Sequence, residues 1–405
     1  MRILFVVPNV PSVIRPRPLH FIRGLSKQHQ VSVVCLATNT ADQHFASQLR
    51  QYCHSVEVIR LSRLRSLSNC VAALFSTKSL RCAYFESPLL RDRIEARVEA
   101  NEVDLIHAEH LKSVPMVESV LGKVPAVFDA VDCVSMLEAR RQRVTNNLLM
   151  KVFAWMESKK LVFGEAKAAR EFSRVAISSP VDREAYPVGM PEKIDVIPNG
   201  VDLEHFGFRK FEAHKNLLVF CAKLDYFPNE DAALYFARSV WPALRARRPE
   251  LQLQIVGSRP PRKVRQLDGK DNIRVIASVS DVRPYLGRAW VALCPIRIRA
   301  GIQNKILEAM ALGVPMVATP ICRPGLQVEG GQHLLFADGP EQFATAIELL
   351  LDNLSLRERL ITAGRAYVER QHTWAECIRV LSNCYTRAIA DFRADGACST
   401  TLTGP

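Results

Sequence analysis

The sequence predicts an α/β protein of two domains, each built on a doubly wound parallel sheet. Three observations carry that expectation. The chain has 405 residues, more than one ordinary hydrophobic core accommodates. Short apolar runs alternate with amphipathic stretches, the pattern of parallel strands joined by helical crossovers. A turn signal, Pro198-Asn199-Gly200, divides the alternation into two halves.

Taken in order, the buried runs of the first half are ILFVV from Ile3, VSVVCLA from Val31, VEVIRL from Val56, DLIHAE from Asp104, AVFDAVD from Ala126 and RVAISS from Arg174. Each is short and apolar, as a strand covered on both faces must be. Amphipathic segments lie between them, including a long one from Val134 to Phe172. After the turn the theme repeats: NLLVFCA, LQLQIVG, IRVIAS, VALCPI and PMVAT, each followed by a helical segment. The domains are therefore expected at 1–198 and 199–372. A last strong helix is read from Thr373 to Phe392, and the small polar residues 393–405 read as a disordered tail.

Composition narrows the class. Hydrophobic content of 48% with 23% charged residues is that of a soluble globular protein. No run approaches the roughly 18 apolar residues that span a bilayer. The opening MRILFVVPNVP is too short for a signal peptide and reads as a first buried strand. Eleven cysteines, an odd number without a C-x-x-C pair, fit reduced thiols in a cytosol rather than a disulfide frame or zinc site. The net charge of +13 needs an anionic partner or an explanation, and for most of the basic residues a solvated surface is explanation enough. No zinc-finger spacing or RNA-binding aromatic motif points to nucleic acid. A diphosphate substrate and an anionic membrane surface both suit the charge.

The stretch Asp281 to Thr319 carries the chemistry. VALCPI reads as a strand, RIRAG as a basic loop closed by glycine, IQNKILEAMALG as a helix stopped at Gly313, and PMVAT as the next strand. A strand, a glycine turn and a helix start make an anion site, because the first backbone N–H groups have no partner within the helix. Lys305 adds positive charge in the first turn. Glu308 lies about one turn on, where a carboxylate can accept from two sugar hydroxyls. Together they fit a nucleotide sugar.

These residues resemble the donor-site signature of family 4 glycosyltransferases, proteins of the GT-B fold. That signature is Glu-x7-Glu at a loop-helix junction, then Ala-Met-Ala-x-Gly-x-Pro. Here stand Glu308, Ala309, Met310, Ala311, Gly313 and Pro315, with Ala300 in place of the first glutamate. The variant R-I-x-x-G-I-Q-N-K-x-L-E-A-M-A is similar to sugar transferases of bacterial exopolysaccharide clusters. The resemblance covers most of the chain and is strongest from about Asp195 to Ala337. It implies two Rossmann-like domains facing a central cleft, a crossover at PNGVD, and a C-terminal helix that returns to the first domain.

The resemblance also implies roles. Gly301, Ile302, Gln303 and Asn304 offer backbone N–H groups to the donor diphosphate, and Lys305 stabilises the departing diphosphate. Lys223, in Ala222-Lys223-Leu224, stands where relatives have Gly-Arg-Leu, and Pro228-Asn229 stands where they have Lys-Gly. Arg297 and Arg299 are further donor-side candidates. Val279 lies in the loop that lines the base pocket, where Ser278 replaces the usual glycine; Asp281 reads as a helix cap. In the first domain, Arg15 and Arg17 follow the first strand. His107, Glu109 and His110 end one strand, and Asp129 and Asp132 end another, the ends that face the crevice in open α/β sheets. Glu308, Lys305, His107 and Asp129 are the catalytic candidates; Arg15, Arg17, His110 and Asp132 are the acceptor-side ones.

The implied activity is retaining transfer from a nucleoside diphosphate sugar to a glycan or polyprenol-linked acceptor, in exopolysaccharide or cell-surface polysaccharide synthesis. No D-x-D pair occurs, so no metal and no cofactor beyond the donor are expected. An epimerase of the same fold, or a non-catalytic nucleotide-sugar-binding relative, is the alternative. The basic stretch of Arg60, Arg63, Arg65, Lys78, Arg81, Arg91, Arg93 and Arg97 is interleaved with Leu64, Leu67, Val71, Leu74 and Phe75. It reads either as a peripheral contact with anionic lipid on the cytoplasmic side or as an ordinary helix pair with a solvated basic face.

Overall fold

The computed structural model describes residues 1–144, 147–187, 189–279, 281–298 and 301–401. The chain divides into two compact units, one of Met1–Pro198 with Trp374–Pro405 and one of Asn199–Thr373.

The first unit carries seven parallel strands: β1 (Arg2–Val7), β2 (Gln30–Ala37), β3 (Ser55–Arg60), β4 (Leu105–Glu109), β5 (Ala126–Val131), β6 (Arg174–Ile177) and β7 (Ile194–Val196). Their order is β3-β2-β1-β4-β5-β6-β7. Side chains of a strand alternate between faces. Leu4 and Val6 of β1 join Ile106 and Phe128 in one core, while Ile3, Phe5 and Val7 join Phe21, Leu381 and Tyr385 in another. Both faces of β1 are therefore dry, which is why it reads as an unbroken apolar run. The strand order reverses between β1 and β4, so a crevice opens at their C-terminal ends.

The helix Trp374–Thr401 covers the second of those cores. Trp374 stacks on His20 with ring centroids 4.5 Å apart, and Tyr385 shares a 2.9 Å hydrogen bond with His107. The expected return of the last helix to the first domain is found. It runs on to Thr401, which corrects the expectation of a disordered tail from 393; no proline follows Trp374 before Pro405, and Ala390, Ala394 and Ala397 favour helix. Residues 402–405 lie outside the described residues. The amphipathic stretch expected from Val134 to Phe172 is two helices, Val134–Val144 and Leu148–Glu171, the second capped by the Asn147 side chain.

The second unit carries six parallel strands: β8 (His214–Cys221), β9 (Gln252–Gly257), β10 (Ile273–Ala277), β11 (Ala289–Cys294), β12 (Met316–Ala318) and β13 (Leu335–Phe336). Their order is β10-β9-β8-β11-β12-β13, with the reversal between β8 and β11. One core holds Leu218, Phe220, Ile255 and Leu293 from the sheet with Trp241, Phe343, Ile306 and Met310 from helices. Gly257 decides where the loop after β8 runs. A Cβ there would lie 1.7 Å from the Ala222 carbonyl oxygen, so only glycine lets that loop pass. Strands β7 and β13 were absent from the sequence reading because edge strands of three and two residues are too short to register as apolar runs.

Candidate functional site

In the second unit the predicted residues gather at the C-terminal ends of β8 and β11. After β11 the chain passes Pro295 to Ile298 and reaches Gly301, whose φ of +64° is a left-handed conformation suited to glycine. Arg299 and Ala300 lie outside the described residues. Gln303 begins the helix Asn304–Leu312 without a side-chain cap, and Gly313 ends it at φ 78°. The first backbone N–H groups of this helix are therefore available to an anion. Ile302 is buried against the core below, while Gln303, Asn304, Lys305 and Glu308 are half-buried.

Lys305 is held in place rather than left to wander. Its Nζ donates to Gln303 Oε1 at 2.9 Å and to Asn229 Oδ1 at 3.2 Å. Asn229 is itself buried, and its Nδ2 donates to the Lys223 carbonyl at 2.9 Å. The Pro228-Asn229 pair thus supplies a neutral bridge from the β8 loop to the Lys305 ammonium. Lys223 points outward, exposed, with only a loose 3.9 Å approach to Asp225. At the helix start, Asn304 Oδ1 accepts from Asn199 Nδ2 at 3.0 Å, and the Asn199 carbonyl meets His372 Nδ1 at 2.8 Å. Glu308 lies one turn beyond Lys305. Burial raises its pKa, and the Lys305 charge works against that rise.

Arg297 is placed differently from the expectation. It is exposed, pairs with Asp231 through Nε at 2.9 Å, and lies over the Tyr235 ring at 4.7 Å. Its charge is engaged by a neighbouring helix. Val279 is half-buried and borders an open hollow of about 930 Å³, lined also by His214, Gln252, Gln254, Ser278 and Tyr285. That hollow reaches the starts of β8 and β9, the opposite strand ends from the Lys305–Glu308 turn. Ser278 has φ 56°, which explains why glycine is usual there. Asp281 accepts from the Arg283 backbone N–H at 2.9 Å, but it stands one residue before the N-cap, Val282, which corrects its reading as the helix cap.

In the first unit, three of the expected site residues are internal. Arg17 is buried and its Nε and Nη2 grip both Asp129 oxygens at 2.8 and 3.0 Å. Its Nη1 donates to the Ile197 carbonyl at 2.9 Å. Burial alone would raise the Asp129 pKa, but the Arg17 charge and hydrogen bonds from His107 and Arg17 bring it well below the usual carboxylate range. His107 is fully buried, stacked on Phe5 at 4.4 Å and bonded to Tyr385. Arg17, Asp129 and His107 therefore hold the sheet together and do not offer themselves to an acceptor. Arg15 is half-buried and clamps its own loop, donating to the Val10 carbonyl at 2.9 Å and Asp42 at 3.3 Å.

What remains at the strand ends is Glu109, His110 and Asp132, all half-buried. His110 has φ 65° and Val131 has φ 66°, the latter a strained conformation for a β-branched residue. Burial and the nearby Asp129 charge push Glu109 up to about 8, against the opposing charges of Arg17, Arg15 and Lys112. Burial, with Lys112 and Arg81, brings His110 down to about 3. Asp132 accepts from Ser178 Oγ at 3.2 Å. Glu109 and Asn229 are the groups that the sequence ranked too low. A carboxyl ending a strand, and an asparagine in the first turn after a strand, were the signals available.

The chain is similar to known proteins in its second unit and in its fold. Residues 215–353 match the protein family described as glycosyl transferases group 1. The chain is 27% identical over 202 residues to a phosphatidyl-myo-inositol mannosyltransferase of Mycobacterium tuberculosis, which covers 44% of this chain and 50% of that protein. It is 21% identical over 237 residues to an uncharacterized 44.6 kDa protein in the cps region of Klebsiella pneumoniae, covering 56% of this chain and 60% of that one. The chain thus spans about half the length of the curated relatives it matches. Among solved structures, Anabaena HepE in complex with UDP-glucose superposes with a TM-score of 0.68 at 15% identity, over 95% of this chain and 99% of that one. The fold is that of GT-B glycosyltransferases, two Rossmann-like parallel-sheet units with helices.

Proposed function

From a chain whose second unit carries a glycosyl transferases group 1 domain, we propose a retaining glycosyltransferase that uses a nucleoside diphosphate sugar. The observation that carries the proposal is the uncapped start of the helix Asn304–Leu312, with Lys305 fixed by Asn229 and Gln303 and Glu308 one turn on. The helix start and Lys305 take the diphosphate charge, and Glu308 accepts from sugar hydroxyls. A neighbour of the same fold, solved with UDP-glucose, supports a donor of this class. Retention is supported by the Glu308-Ala309-Met310-Ala311 pattern shared with retaining transferases of family 4.

The reaction this reading describes needs no protein nucleophile. The acceptor oxygen bonds to the anomeric carbon on the face that the diphosphate leaves. The bond from that carbon to the phosphate oxygen breaks, and the acceptor proton passes to the departing phosphate. Lys305 and the helix start hold the charge that develops, so the reading assigns no metal. Glu109, His110 and Asp132 are assigned to the acceptor. A glycan or polyprenol-linked acceptor of surface polysaccharide synthesis is supported by the relative encoded in a cps region. Ten cysteines among the described residues are not joined in disulfides, which supports a reducing, cytoplasmic setting.

A thermal-shift panel of nucleoside diphosphates and their sugars tests the proposal, since a ligand of the native state raises stability. One diphosphate should stabilise the protein, and its sugar donor should then yield a product whose anomeric configuration, read by NMR, matches the donor. Excess EDTA should leave turnover intact. Stabilisation by none of the panel, an inverted product, or turnover restored only by magnesium would each overturn the corresponding part.

A further inference from the structure

The helix Arg63–Leu74 is amphipathic the wrong way round for a surface helix. Leu64, Leu67, Val71 and Leu74 follow helical spacing along one stripe, and all four face solvent, with Leu64 at 83% exposure and the following Phe75 at 90%. Its inner face is small and polar: Ser66 and Ala73 are buried. The helix Leu148–Glu171 repeats the inversion. Leu148, Leu149, Val152, Trp155, Val162 and Phe163 are exposed, while Glu157 and Glu165 are buried. The two helices touch where Lys160 Nζ donates to the Ala73 carbonyl at 2.6 Å, and Glu157 accepts at 2.8 Å from the N–H of Leu80, in the next helix, Leu80–Phe85. Eleven of the nineteen exposed large apolar side chains among the described residues lie on these two helices and Phe75.

The outward charge along these two helices is mostly positive. Arg63, Arg65 and Lys159 are exposed, and Lys159 Nζ lies 4.4 Å from the Trp155 ring centroid. The helix Arg63–Leu74 contains no acidic residue, and the only outward acid of the second helix, Glu171 at its far end, pairs with Lys167. Of the broader basic stretch from Arg60 to Arg97, the later part is ion-paired. Arg81 is paired with buried Glu138, Lys78 and Arg91 with Glu86, and Arg93 and Arg97 with Glu57. Glu86, within the stretch, and Glu57, just before it, each face two of these cations, so the charge there is reduced and not removed.

We propose that the paired helices Arg63–Leu74 and Leu148–Glu171 form a lipid-inserting surface for an anionic bilayer. Their apolar side chains enter the boundary between headgroups and acyl chains, and Arg63, Arg65 and Lys159 meet the lipid phosphates. An apolar patch of this extent needs a cover, and its mostly positive margin favours an anionic one. No described helix is long and apolar enough to cross a membrane, so the contact lies on the surface. The inference stands apart from glycosyl transfer.

Vesicle flotation tests it, with neutral lecithin vesicles and with vesicles containing phosphatidylglycerol. The protein should bind the anionic vesicles with a blue shift in fluorescence from Trp155, the most exposed tryptophan, and part of the binding should survive high salt. Leu67→Gln with Leu149→Gln should weaken partitioning by roughly tenfold per leucine without lowering the unfolding temperature, because both side chains already sit in water. Trp155→Phe should remove the shift and leave most of the binding. Absence of binding at low salt, or binding that the leucine changes do not alter, overturns the proposal. So does a dimer in sedimentation that those changes dissolve while vesicles are ignored, which would assign the surface to a second copy of the chain.

Discussion

Glu308 is the residue on which the donor reading turns. Glu308→Gln keeps the shape and removes the charged acceptor, and hydrogen bonds to a charged group are worth about 1.5–3 kcal/mol. Donor affinity measured by calorimetry should fall about tenfold or more, with the unfolding temperature held; unchanged affinity would remove Glu308 from the site. Glu109 makes a prediction in pH. It titrates at about 8 in the folded protein against about 4.3 in an unfolded chain. The folded value is the higher one, so the folded state binds more protons between the two, and stability falls as pH rises through that window. Buried Glu165, pushed by burial to about 7 despite hydrogen bonds from Ser135 and Val134, adds to the same trend. Glu109→Gln should flatten part of the loss of stability above about pH 5 and match the wild type below about pH 4. Parallel melting curves across pH would refute it. Lys305 and Glu308 could be picked out in the sequence because their chemistry is local, a turn and one helix. Arg17 and Asp129 could not be assigned correctly, being 112 residues apart and paired only once the sheet order brings the strand ends together. Asn229 escaped for the same reason, with Lys305 lying 76 residues on.

At the level of elements, the Arg17–Asp129 pair fastens the helix Pro16–Leu25 to the end of β5 and, through the Ile197 carbonyl, to the segment leaving β7. Removing one partner leaves a charge in a dry interior. Arg17→Met should therefore lower stability by about 3–5 kcal/mol in urea unfolding, and Arg17→Met with Asp129→Leu should recover much of it. An undiminished midpoint for Arg17→Met would return Arg17 to the list of solvent-facing candidates. Strands of four or more residues with two dry faces announced themselves as apolar runs. The edge strands β7 and β13 did not. The helix Arg63–Leu74 shows a second limit: periodicity reveals that a helix has an apolar stripe, not which way it faces. Only the inward turn of Ser66, Glu157 and Glu165 shows that here the stripe looks out.

Over the whole molecule, the alternation of strands and helices was enough to foresee two parallel sheets, because every crossover must return the chain to the same sheet edge direction. The first unit is discontinuous in sequence, closed by Trp374–Thr401. Deleting residues 374–405 should bare Phe5, Val7 and Phe21 and leave the first unit aggregated or open to protease, while 199–373 keeps a cooperative calorimetric transition. Protection of residues 1–198 in such a truncated chain would show the helix to be dispensable. The same discontinuity sets a timetable on the ribosome. Residues 199–373 emerge as one uninterrupted unit and can fold as they emerge, but the sheet made first must wait, with one face of β1 uncovered, until Leu381, Cys384 and Tyr385 have been made. For that interval, residues 1–198, made before 199–373, are finished after them, and they are the part that a holding chaperone has most reason to bind.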